Sequence, residues 1–171
     1  MKGIMMSAPI IVTALFGPAD FAWLDGLRRR YYPPGRNRVP AHLTLFHQLP
    51  PSIEPELRHR LLMETRNVPA PLARVIGLER LDGGVAFRIE SAGLAECRVA
   101  LAEAFHGLLI PQDRHWHAHV TIQNKANRRE AVEAYDALAS DFSVRPLAIV
   151  GLAAWFYRDG AWERLAQFRY S

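Results

Sequence analysis

Apolar and β-branched residues run from Ile10 to Phe16 with little interruption, a pattern that predicts a short strand. Over 19–31 the spacing changes. Phe21, Leu24, Leu27 and Tyr31 recur every three or four residues, which predicts a helix that Pro33-Pro34-Gly35 brings to an end. His42-Leu43-Thr44-Leu45-Phe46 predicts a second strand, stopped by Pro50-Pro51. Ser52 is then placed to cap a helix carrying Ile53, Leu57 and Leu61. Two apolar runs, 75–81 and 85–89, flank Asp82-Gly83-Gly84 and predict a hairpin.

The same order then recurs. Leu94, Cys97, Leu101, Phe105 and Leu108 form a helical stripe over 92–109, and His119-Val120-Thr121-Ile122 predicts a strand. Asn127 and Glu130 have the spacing of a capping box, followed by Val132, Tyr135, Leu138 and Phe142 on one helical face. A second hairpin is predicted over 147–157 and 162–168, around Asp159-Gly160. The plan is strand, helix, His-x-Thr strand, helix, hairpin, twice over. A chain of 171 residues fits one domain, with pseudo-repeat halves near 8–84 and 85–171.

The two His-x-Thr units lie 77 residues apart (119 − 42). Seven histidines and four threonines placed at random would give about 0.16 such pairs in this length, so two in matching strands point to chemistry. Strand side chains alternate faces, which puts His42 with Thr44 and His119 with Thr121. Two imidazoles can serve as base and acid near neutrality, and hydroxyls can bind non-bridging phosphate oxygens as charge develops. Those four residues are the expected catalytic and phosphate-binding groups. By the same parity Arg38, Phe46 and Lys125 fall on the histidine faces; with Gln123, they are the candidates for substrate binding.

These residues resemble the 2H phosphoesterase superfamily, in its bacterial branch of 2′-5′ RNA ligases and RNA 2′,3′-cyclic phosphodiesterases. The resemblance rests on His42-Leu43-Thr44-Leu45, His119-Val120-Thr121-Ile122, their separation and the duplicated order. It implies an α+β fold, bilobal and internally duplicated, with two antiparallel sheets flanking a central cleft and helices outside. It implies hydrolysis of 2′,3′-cyclic phosphates to 2′-phosphates without metal or other cofactor, and 2′-5′ ligation in reverse. Two departures stand out. Ala118 precedes the second motif where the family often has proline, and Gln123-Asn124-Lys125 follows where an arginine is common.

Composition changes this picture little. The net charge of +4 favours an anionic partner, and five arginines with two tyrosines crowd 28–38, which leans toward RNA or a nucleotide. A single cysteine, Cys97, excludes an internal disulfide framework. With no membrane-length apolar run, it leads us to expect a cytoplasmic monomer with no protein partner. Lys2 and the apolar stretch after Ile4 imitate a secretory signal weakly, and the strand reading is preferred. His115, His117 and His119 alternate on one strand as metal ligands can, so a metal-dependent phosphoesterase is one alternative. A binder of nucleotides without turnover is the other. His47, His59 and His106 read as surface or packing residues.

Overall fold

The computed structural model describes residues 8–171, so the start of the signal-like stretch, Lys2 and Ile4 included, lies outside the described residues. In chain order the elements are β1 Ile10–Phe16, α1 Pro18–Tyr31, β2 Leu43–Leu49, α2 Glu54–Thr65, β3 Arg74–Leu81, β4 Gly84–Glu90 and α3 Ala92–Ala104. They continue with β5 His119–Gln123, α4 Arg128–Asp141, β6 Arg145–Pro146, β7 Ile149–Arg158 and β8 Ala161–Arg169. Two four-stranded antiparallel sheets result, ordered β2-β1-β7-β8 and β5-β4-β3-β6.

The two orders are the same plan: a histidine-motif strand at one edge, the strand that opens the repeat beside it, then β7 and β8 in one sheet and β3 and β6 in the other. The fold is α+β, bilobal and internally duplicated. Its lobes exchange parts. β3 follows α2 in the chain but pairs with β4, whereas β7 returns to pair with β1. Helix α1 lies on the β5 sheet, where Trp23 stacks on Phe87 at 5.3 Å between ring centres. Helix α3 lies on the other sheet, where Arg98 bonds the Leu45 carbonyl. Each lobe therefore draws on both halves of the chain.

Local chemistry explains most boundaries. The Ser91 hydroxyl accepts from Leu94 N–H and Asn127 Oδ1 accepts from Glu130 N–H, so two of the four helices carry a side-chain N-cap. Ser52 does not cap α2. Pro50 and Pro51 draw it into a 3₁₀ turn, and Glu54 opens the helix. Helix α3 ends at Ala104, before a separate 3₁₀ turn over His106–Leu108. In α4 the buried face is Ala131, Ala134 and Leu138, leaving Val132 exposed; small alanines let the helix approach β4 closely.

The core forms where the sheets meet their helices, with Leu43, Leu45, Leu57, Leu61, Leu94, Val120, Ile122 and Leu152 all fully buried. At about 25 cal/mol per Å2, such burial supplies most of the drive to fold. No helix among the described residues is long and apolar enough to cross a membrane.

Candidate active site

β2 and β5 are edge strands of different sheets, and they pack against one another. This sets the two histidine motifs on neighbouring strands, near enough for charge on His119 to act on His42. The rings are held alike. His42 Nδ1–H donates to the Pro40 carbonyl at 2.8 Å, and His119 Nδ1–H donates to the His117 carbonyl at 3.0 Å. A carbonyl can only accept, so Nδ1 carries the proton in both rings and Nε2 remains for proton exchange.

The strands share a second device. Between Thr44 and Phe46 the pairing of β2 with β1 slips by one residue, since Thr13 faces Thr44 while Val12 faces Phe46. β5 slips at the equivalent place, with Ala86 facing Thr121 and Val85 facing Gln123. In each case the residue after threonine, Leu45 or Ile122, is the extra one of a β-bulge. Bulges reverse the alternation of faces, and they gather beside active sites.

That reversal corrects two of the substrate-binding expectations. Phe46 is completely buried under the Arg98 guanidinium, 4.0 Å from its ring centre, and offers no face to a base. Gln123 is 2% exposed; its amide donates to the Tyr31 carbonyl at 3.0 Å and the Glu130 carbonyl at 3.5 Å. It joins the end of α1 to the start of α4, and its buried Oε1 is left unpaired. Lys125 lies beyond the end of β5, in a left-handed turn with φ of 60°, so strand parity does not place it. It nevertheless lines a cavity of about 500 Å3 together with Arg38, Arg28 and Arg36.

Buried arginines brace both motif strands, each from a helix of the opposite half of the chain. Arg28 of α1 donates to the Thr121 carbonyl at 2.9 Å and to Asn37 Oδ1. Arg98 of α3 donates to the Leu45 carbonyl at 2.7 Å and to the Asp113 carbonyl. β2 receives two further ties. Trp116 Nε1–H donates to the Thr44 carbonyl at 2.7 Å, and the buried Asp113 carboxylate accepts from His47 N–H, Gln48 N–H and the His47 ring. Burial alone would raise the Asp113 pKa, but those hydrogen bonds hold it below the usual carboxylate value.

Beyond the shared bond the two imidazoles differ. The His42 ring leans on Trp162, 4.6 Å between centres, in a second cavity of about 430 Å3 walled also by Trp155 and Phe16. Burial pushes its pKa down to about 4. The Pro40 carbonyl opposes the fall, while positive charge on Arg28, His47 and His119 adds to it. The His119 ring stacks on His117 at 4.8 Å, and His117 Nε2 meets Glu79 Oε2 at 3.0 Å. His117 is thus turned to Glu79. Among the described residues no three His, Cys, Asp or Glu side chains converge as a metal-ligand set.

Trp162 and Arg98 were not singled out from the sequence, and Arg28 stood there only as one of the five arginines of 28–38. The arginines left a trace there: each falls four residues after a leucine of its helical stripe, Leu24 and Leu94, on the face that packs inward.

The family model described as the 2′-5′ RNA ligase superfamily matches residues 16–160, which include both motifs. No curated protein matches the chain in sequence. Among solved structures, a protein of Thermus thermophilus superposes with a TM-score of 0.64 at 18% identity, over 94% of this chain and 97% of its own. LigT of E. coli complexed with 3′-AMP gives 0.65 at 14% identity, over 96% and 99%. The same protein complexed with phosphate gives 0.57 at 15%, over 96% and 99%. At these identities the likeness is one of fold.

Proposed function

The chain belongs to the 2′-5′ RNA ligase superfamily, and from that premise we propose that it hydrolyses 2′,3′-cyclic phosphodiesters at RNA or nucleotide ends to 2′-phosphates, with His42 and His119 as the proton-transfer pair. One observation carries the proposal: both Nδ1 atoms are tied to the carbonyl two residues upstream, which leaves two free Nε2 atoms on facing strands.

His42, held neutral by its surroundings, accepts a proton from water at Nε2. The water oxygen bonds to phosphorus and the P–O3′ bond breaks. His119, entering protonated, gives its Nε2 proton to the departing 3′-oxygen. The product carries a 2′-phosphate and a free 3′-hydroxyl. Hydroxyls of Thr44 and Thr121, which have no partner among the described residues, donate to the non-bridging oxygens as their charge grows. A 5′-hydroxyl in place of water would give a 2′-5′ linkage. Nucleotide binding to the related E. coli LigT fold, with 3′-AMP, supports this substrate class.

The test uses a short RNA ending in a 2′,3′-cyclic phosphate, whose product should be the 2′-phosphate. A substrate with sulfur at the bridging 3′ position leaves without protonation, so it should restore His119→Ala and leave His42→Ala inactive. A 3′-phosphate product, or rescue of the opposite variant, counts against the proposal.

A further inference from the structure

The cavity of about 500 Å3 lies beside the one that holds His42, and Trp162 lines both. Arg28, Arg36, Arg38 and Lys125 all reach it, and no carboxylate does. Among the described residues none of the four forms an ion pair. Four positive charges in one cavity equal the net charge of the whole chain. Unpaired like charges repel, so an anion is the ligand this lining suits.

The cations are also held in place. Arg28 is buried and bonded to neutral acceptors, Asn37 Oδ1 and the Thr121 carbonyl. Arg36 donates to the Lys125 carbonyl at 3.2 Å, joining the loop after α1 to the turn after β5. Arg38 packs on the β7–β8 turn, where a Cβ added at Gly160 would come within 3.3 Å of its guanidinium. Three distant segments thus build one cationic surface, with Tyr157 and Trp162 beside it for stacking.

We propose that this cavity is a second phosphate subsite, which takes the phosphate on the 5′ side of the reacting nucleotide and makes oligonucleotides the preferred substrates. The inference rests on His42 and His119 as the reaction centre, because a chain ending there and passing Trp162 brings its next phosphate to these cations.

Values of kcat/KM are compared for a nucleoside 2′,3′-cyclic phosphate, the same compound with a 5′-phosphate, and a dinucleotide with the cyclic end. The wild type should favour both phosphate-bearing substrates by about tenfold, and salt should erode the advantage. In Arg36→Ala/Arg38→Ala, both exposed positions whose loss leaves the core intact, the advantage should fall to about twofold. Equal values in the wild type, or an undiminished advantage in a variant shown by thermal unfolding to be folded, would overturn the subsite. Inactivity of the wild type on all three compounds refutes the catalytic reading instead. Calorimetry with a dinucleotide 2′-phosphate and a nucleoside 2′-phosphate then decides the subsite alone: tighter binding of the dinucleotide, lost in the double variant, upholds it, and equal binding sinks it.

Discussion

The two motif strands are built alike and surrounded differently. Each carries histidine, threonine and a bulge in the same order, and each histidine is aimed by a main-chain carbonyl two residues upstream. Their neighbours diverge. His42 sits against Trp162, with arginine and histidine charge nearby, whereas His119 sits against His117, which is paired with Glu79. A duplicated backbone thus supplies two equally aimed imidazoles, and unlike side chains give the two rings unlike surroundings. In the proposed reaction, that division would let a symmetric frame supply one base and one acid.

The sharpest way to break this comparison is to remove each imidazole. His42→Ala and His119→Ala should each lower kcat on a cyclic-phosphate RNA by on the order of a thousandfold. The double variant should be little worse than the poorer single, because the pair acts as a unit. Simple multiplication of the two losses would show independent groups. Next in size is the cross-bracing. Arg98→Ala strands the Leu45 and Asp113 carbonyls in a buried setting and uncovers Phe46, at a cost of about 3 kcal/mol. Arg28→Ala should cost less, about 2 kcal/mol, since its cavity admits water to the Thr121 carbonyl. Urea midpoints rank the two, and the reverse order would contradict the picture of a more tightly clamped β2.

The proton affinity of His42 gives the next test. Its pKa is about 4 folded against 6.5 unfolded, so between those values the unfolded chain binds more protons. Stability is therefore greatest above pH 6.5 and is lost as the pH falls toward 4. The loss is on the order of 2 kcal/mol after allowance for the exposed edge of the ring. Unfolding measured at pH 7 and pH 5 should show this slope in the wild type and a shallower one in His42→Ala. Equal slopes would remove the distinction drawn here for His42.

What the sequence made legible, and what it did not, follows the same division between local and remote. The order of strands and helices, and the matched His-x-Thr units, are written in short stretches of chain with clear periodicity. Phe46 and Gln123 misled because a bulge is set by pairing with a neighbouring strand, and alternation within one strand does not reveal it. The exchange of helices between lobes was hidden for a similar reason, since an apolar stripe does not name the sheet it will cover. Arg28 and Arg98 could be seen as arginines on inward faces, yet their acceptors lie 93 and 53 residues away. Trp162 stands in a predicted strand among other aromatics, and only the fold brings it against His42.

The smallest expected effect sharpens the comparison furthest. His117 gives His119 two things, a ring to stack on and a carbonyl that accepts the Nδ1 proton. The carbonyl belongs to the main chain and survives substitution. The His117–Glu79 pair is solvent-exposed, where such contacts contribute at most about 1 kcal/mol. His117→Ala should therefore lower kcat by only about twofold, and Glu79→Gln by less. Trp162→Ala removes both the wall beside His42 and a surface for a base, so it should cost about tenfold or more in kcat/KM. A loss in His117→Ala as large as that in Trp162→Ala would mean that the side chain, and not the backbone, aims the second imidazole. The shared carbonyl bond would then have to give up its place as the common element of the two half-sites.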